Sequence, residues 1–251
     1  MGMGDVLMSV GEAKRAHQRT GQPILITDQV GRPVRSDLFD GVPYLTQRPL
    51  RGIRFQRLVN CPGHRPYIKA KSPTHWTWRD YQPEPADIVF TPAELAFAAP
   101  YRGCIMLEPN VKEIGHRNKD WGFERWRALA KILDADGVGP LLQCFRPGDR
   151  LLGVERQAMT TSFRQTLAVL SVCRAYVGPE GGLHHGAAAV RVPAVVIMGG
   201  FISPRQTGYA SHRNLFTGGE PCGSRVDCAH CRAAMLAITP EMVAAELKGL
   251  L

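Results

Sequence analysis

The chain has 251 residues, 44% of them hydrophobic and 21% charged, with a formal net charge of +9. This is the composition of a soluble globular protein, long enough for one large α/β domain or two small ones. No apolar run reaches the length of a membrane span, and the N-terminus lacks the basic-then-apolar layout of a signal peptide, so a cytoplasmic location is expected.

Lys plus Arg outnumber Asp plus Glu by 31 to 22. Much of the excess lies in residues 48–79, where Arg51, Arg54, Arg57, Arg65, Lys69 and Lys71 recur. Such a face suits a solvated surface, a polyanionic acceptor, or peripheral contact with an anionic membrane surface. No RNA-binding or helix-turn-helix signature accompanies it, so no nucleic-acid partner is expected. The seven cysteines are an odd number, and Cys61, Cys104, Cys144 and Cys173 are scattered singly. The last three of these adjoin apolar runs, where free cysteines behave as small buried hydrophobes, and no disulfide framework is expected.

In chain order, residues 6–16 read as a helix and 23–27 as a strand. Residues 48–85 are rich in Pro, Gly and Arg, carry Tyr67, Trp76, Trp78 and Tyr81, and are expected to be irregular. Another strand is expected at 88–90. A boundary near 92–103 divides the chain into an N-terminal lobe, 1–98, and a C-terminal lobe, 99–251. The second part alternates regularly: strand 104–107, helix 121–133, strand 141–145, helix 163–173, strand 175–177, helix 183–190, strands 194–198 and 214–216, and a last helix at 240–250. Thr239 and Pro240 give that helix its cap and first turn. Strands alternating with helices imply α/β architecture, a parallel sheet covered on both faces.

Residues 178–200, GPEGGLHHGAAAVRVPAVVIMGG, carry the most chemistry. They read as strand end, glycine turn, small-residue helix and buried strand. Gly181 and Gly182 are expected to supply positive φ or close backbone approach. The free N–H groups and positive dipole end of the helix then form an anion site, unless this is only a tight strand-to-helix turn. Glu180 ends the strand, where open α/β sheets place ligands. His184 and His185 follow, one ring expected toward a ligand and the other toward backbone. Lys119, just before a helix, reads either as solvated surface or, with Lys112 and Arg117, as a clamp on a diphosphate. Asp5 after Gly4 reads as a helix cap or as a general base at a cleft mouth. Cys222-x5-Cys228-x2-Cys231 offers three thiolates. With His230 or His212 as fourth ligand they suit structural zinc or iron; otherwise they are reduced cysteines beneath the last helix.

The set GDVL, NKDWGFERW, the 178–200 stretch and CAHCRAAMLAITPEMV, in that order, resembles the heptosyltransferase-like glycosyltransferases of family 9 from about residue 104 to the end. The resemblance implies a GT-B-like architecture: two Rossmann-like lobes with parallel sheets, the donor held mainly by the C-terminal lobe and the acceptor by the N-terminal one. It implies sugar transfer from a nucleotide diphosphate with inversion, with no cofactor or metal required for catalysis. The acceptor would be a lipopolysaccharide core, another glycan or a protein. Asp5 matches the catalytic aspartate and Lys119 the lysine that neutralises the donor phosphates. Gly181, Gly182, Leu183 and His185 match the diphosphate cradle, and Glu180 falls where many members carry an aspartate that touches the donor sugar. Relatives that glycosylate autotransporters hold a metal in a cysteine-rich insert, which the cysteine segment loosely resembles.

The sequence departs from the family in three ways. Members are usually longer, so a reduced N-terminal lobe is expected. A strand normally leads into the glycine-aspartate turn; here either the start lies upstream or the lobe is built differently. Glu180-Gly181 replaces the common Asp-Thr, which points away from a heptose donor. The competing class is a non-catalytic nucleotide-sugar-binding protein. An unrelated Rossmann enzyme is disfavoured by the absence of GxGxxG with an acidic ribose reader.

Overall fold

A computed structural model describes residues 2–49, 51–60, 65–111 and 117–251; Cys61 and Lys112 lie outside them. Helix α1 (Met3–Thr20) leads into β1 (Ile24–Thr27), which is flanked by β2 (Leu45–Thr46) and β3 (Gln56–Val59) in a parallel three-stranded sheet. An antiparallel hairpin, β4 (Ile68–Lys71) and β5 (Trp76–Trp78), and helix α2 (Pro92–Ala98) follow. The remainder is β6 (Ile105–Leu107), α3 (Phe123–Ala135), β7 (Leu141–Phe145), β8 (Arg156–Met159), α4 (Phe163–Ser171), β9 (Ala175–Pro179), α5 (Gly182–Ala189), β10 (Ala194–Gly199), α6 (Pro204–Thr207), β11 (His212–Phe216), α7 (Ala229–Ala237) and α8 (Pro240–Lys248).

The larger sheet has six parallel strands in the order β11-β10-β9-β6-β7-β8. Numbered from β6 this is 3-2-1-4-5-6, the Rossmann order, with its switch point between β6 and β9. Side chains alternate between two cores, as a strand period of two requires. Ile105, Leu107, Val177, Val195 and Ile197 pack with α3 and α8 on one face. Met106, Tyr176, Val196 and Met198 pack with α4 and α5 on the other. That second core continues into Val10, Ile24, Ile26 and Leu38, so the smaller sheet and α1 share it. No helix among the described residues is long and apolar enough to cross a membrane.

Several expectations change. Residues 88–90 join no sheet; the Val89 carbonyl accepts a hydrogen bond from Arg164 instead. The stretch 48–85 is not wholly irregular but holds β3, β4 and β5. Helix α3 starts at Phe123, and Trp121 before it is buried, donating its indole N–H to Ile238 O at 2.8 Å.

Candidate active site

The carboxyl ends of β6 and β9 lead into Glu108 and Glu180, and a cavity of about 420 Å³ opens above them. This is the crevice where doubly wound sheets bind ligands. Helix α5 starts here with Gly181 as its cap, and α1 starts here with Gly2 as its cap. The two helix starts touch. A Cβ on Gly4 would lie 2.7 Å from His185 Cδ2 and 3.5 Å from Gly182 Cα, so glycine is what lets them meet. Two sets of N–H groups without an intrahelical partner and two positive dipole ends therefore border one cavity. Gly181 has φ of 167°, ordinary extended backbone, so close approach rather than positive φ explains this turn. Gly182 supplies it, a Cβ there lying 3.2 Å from the Phe163 ring.

Most of the sequence-derived site residues converge on this cavity. Asp5, Lys119, Glu180, Gly181, Gly182, Leu183 and His185 all line it. Lys119 forms a close ion pair with Glu180, and its Nζ lies 5.1 Å from the centroid of the Phe201 ring. Asp5 is in the first turn of α1, not at its cap position. Its carboxylate accepts from Tyr67 Oη and from Arg65, each at 2.7 Å. Burial and the nearby Asp5 charge push the Tyr67 phenol well above its usual value, so it stays a donor. Arg65 thus separates from its basic neighbours: Arg51, Arg54, Arg57, Lys69 and Lys71 are exposed. Arg117 is exposed as well and does not line the cavity.

Sequence reasoning missed Tyr67, Glu108 and Tyr176, and saw Arg65 only as part of a basic run. Desolvation pushes Glu108 up to about 8, so the carboxyl is neutral at pH 7. Tyr176 lies along the strand over Gly178, where a Cβ would be 1.8 Å from its hydroxyl. The tyrosine two residues before a strand glycine was the available signal.

Behind α5 lies a histidine cluster. His185 Nδ1 is 2.9 Å from Tyr209 Oη, and its Nε2 is 3.9 Å from Glu180. His184 turns not to backbone but into the interior, its ring centroid 5.4 Å from that of His212. Burial drives His184 well below its usual value, lowers His185, and takes His212 to about 4. All three are depressed, so each favours the folded state less as the pH falls below about 6.5; for His212 the stabilisation is lost as the pH falls toward 4. For His212 the loss is roughly 3 kcal/mol. Glu108 acts in the opposite sense over an overlapping window, since its folded value is raised. The readout is therefore the difference in unfolding free energy between wild type and His212→Gln, which should shrink from pH 7 to pH 4.5. A difference constant across that range would contradict the assignment.

The cysteine segment forms a second group, away from the cavity lining. Cys222, Cys228, Cys231 and His230 each offer a ligand atom within 4.8 Å of the others. The sulfur of Cys222 is 3.8 Å from that of Cys228 and 3.1 Å from that of Cys231. His230 Nε2 is 2.7 Å from Gly218 O, the kind of outer partner that orients a metal-ligating imidazole. His212 is not the fourth member, because it belongs to the histidine cluster. Cys104, Cys144 and Cys173 are buried and free of disulfides.

The sequence profile of glycosyltransferase family 9 (heptosyltransferase) matches residues 80–230. The chain belongs to glycosyltransferase family 9. Solved structures are similar to the chain as well. A family 9 glycosyltransferase from Veillonella parvula superposes with a TM-score of 0.67 at 12% identity, over 100% of this chain and 94% of that one. The iron-containing dodecameric glycosyltransferase TibC from enterotoxigenic E. coli gives 0.62 at 14% identity, over 100% and 74%. The ADP-heptose lipopolysaccharide heptosyltransferase II of E. coli gives 0.49 at 23% identity, over 65% of this chain and 53% of its own length. No curated protein matches the chain. The fold is thus GT-B-like, with a six-stranded sheet and a smaller three-stranded one.

Proposed function

We propose that this family 9 chain transfers a sugar from a nucleotide-diphosphate donor to a hydroxyl of a glycan, lipopolysaccharide or protein acceptor, with inversion and without a catalytic metal. One observation carries the reading. Asp5 on the start of α1 and the Lys119–Glu180 pair beside the start of α5 border one cavity at the sheet's switch point. Residues 1–98 form the acceptor side and 99–251 the donor side.

In this reading the acceptor oxygen bonds to the anomeric carbon as the bond from that carbon to the diphosphate breaks. Asp5 takes the hydroxyl proton, and the departing electron pair stays on the diphosphate. The α5 N–H groups and the Lys119 ammonium meet that growing charge without a metal. An incoming diphosphate replaces Glu180 as the partner of Lys119, and the Glu180 carboxylate turns to the donor sugar's hydroxyls. Tyr67 and Arg65 hold Asp5 toward the acceptor.

A structure of TibC holds ADP-D-β-D-heptose, which makes ADP the first probe here. Calorimetry should find one ADP site per chain. Lys119→Ala should weaken ADP about 10- to 100-fold, the loss of one charge-assisted contact. Unchanged ADP affinity in that variant would remove the donor assignment. Donor binding with no turnover on any acceptor class would make the chain a binding protein instead.

We read Cys222, Cys228 and Cys231, with His230, as a structural zinc or iron site. Metal–sulfur bonds of about 2.3 Å in a tetrahedron set sulfurs roughly 3.8 Å apart, which the Cys222–Cys228 pair meets. Elemental analysis should find one metal ion per chain. Metal-free protein from metal-replete growth, with these thiols freely titratable, would rule it out.

A further inference from the structure

Asn118 immediately precedes Lys119 in the 3₁₀ turn Arg117–Lys119 and is buried at 8% exposure. Its amide Nδ2 donates to Ser224 O and to Val226 O, both at 2.8 Å. A side-chain amide has two N–H donors, and both are committed to one short stretch of backbone.

That stretch is itself fixed on three sides. The N–H groups of Cys222 and Gly223 donate to Gly200 O and Phe201 O, each at 3.0 Å, and Phe201 is the ring beneath Lys119. Trp76 N donates to Gly223 O at 2.9 Å, and Arg225 N donates to Thr74 O at 2.8 Å, tying in the β4–β5 hairpin. A Cβ on Gly223 would lie 1.8 Å from Trp76 O, so the hairpin sits hard against this backbone. Ser224 N donates to Cys222 Sγ at 3.4 Å, which joins the cysteine cluster. Residues 222–226 are therefore where the cysteine cluster, the hairpin that carries Trp76 and Trp78 into the cavity, and the floor under Lys119 are bonded together.

We propose that Asn118 is a positioning residue: by gripping the carbonyls of Ser224 and Val226 it holds the Lys119 turn at the height from which the ammonium meets the donor diphosphate. This rests on the reading that Lys119 contacts that diphosphate. A long lysine stem has many rotamers and is normally costly to order. Fixing the residue before it removes backbone freedom from the turn before the donor arrives, and pre-organisation of this kind raises affinity. Asn118 also couples the lysine to the loop that carries the cysteines, so disturbance at Cys222 reaches the donor site through two hydrogen bonds.

The test is ADP binding by calorimetry in wild type, Asn118→Ala, Lys119→Ala and the double variant. Asn118→Ala should weaken ADP about tenfold, the equivalent of roughly two modest hydrogen bonds. In the Lys119→Ala background the same substitution should change affinity by less than about twofold, because its effect passes through the missing ammonium. Equal losses in both backgrounds would mean general damage to the fold and would overturn the proposal, as would wild-type affinity in Asn118→Ala. If Lys119→Ala weakens ADP while Asn118→Ala does not, only this inference fails. If neither weakens it, the donor assignment fails too. Asn118→Ser, which keeps one shorter donor, runs through the same comparison should the alanine variant not fold.

Discussion

Asp5→Asn should lower the transfer rate about 10²–10⁴-fold, the usual contribution of a positioned general base. ADP affinity should stay within about twofold, because the substitution removes a proton acceptor and not a donor contact. The amide keeps the shape of the carboxylate and can still accept from Tyr67 Oη, now at 2.7 Å from Asp5 Oδ1. What it cannot do is take the acceptor's proton. The loss should therefore fall on kcat, with KM for the donor little changed. A drop in kcat and kcat/KM by equal factors marks an interaction made only in the transition state. The substitution also leaves Arg65 without its carboxylate partner, so the folded fraction must be measured alongside the rate. Full transfer activity in folded Asp5→Asn protein would end the case for this residue as base. The first contact of Asp5 with a sugar hydroxyl needs no vacated hydrogen bond, since a carboxylate has about four lone-pair directions and Tyr67 and Arg65 use two.

The C-terminal sheet was legible because its central strands are buried on both faces and its helices carry one apolar stripe. Runs such as 141–145 and 194–198 are nearly continuous in apolar residues, and both proved to be strands. The first hundred residues lacked that contrast. In β3, QRLV, burial alternates weakly, and β4, IKAK, has only Ile68 off the surface. The edge strand β8, RQAM, buries Ala158 alone, so no apolar run announces it. Residues 88–90 have strand composition, but no neighbouring strand pairs with them, and composition cannot report a missing partner. At the site, Asp5, Lys119 and the 180–185 turn were readable because each sits at a helix start or a strand end, positions that sequence marks. Arg65, Tyr67, Glu108 and Asn118 were not. Tyr67 matters because it reaches Asp5 across 62 residues of chain, and Asn118 because it reaches Ser224 across 106. No local pattern encodes either contact.

Arg164→Ala should destabilise the protein by about 1.5–3 kcal/mol, the cost of losing charge-assisted hydrogen bonds to a part-buried carboxylate. Arg164, on α4, is 6% exposed. Its Nε and Nη2 donate to the Glu94 carboxylate at 2.5 and 3.1 Å, Nη1 donates to Asp37 O at 2.7 Å, and Nη2 also donates to Val89 O. One guanidinium thus spends its donors on three separate segments from the first hundred residues. Burial works against the Glu94 charge, yet Arg164 and the Thr91 N–H and hydroxyl hold its carboxyl below the usual range. Glu94 also completes the capping box of α2, so the same carboxylate starts a helix and anchors it to α4. Removing the arginine leaves that carboxylate and two carbonyls short of donors in a part-buried place, which is why the effect should exceed that of a surface pair. Arg164→Lys should recover only part of it, since an ammonium cannot match the fork. The contact also bears on cooperativity. The core shared by both sheets predicts one unfolding transition for the wild type, and loss of this staple is expected to let the N-terminal part open first. Denaturant unfolding followed by fluorescence and by circular dichroism should give coincident midpoints for wild type and separated ones for Arg164→Ala. An unchanged midpoint in the variant would show that the shared apolar core, not the guanidinium, joins the two sheets.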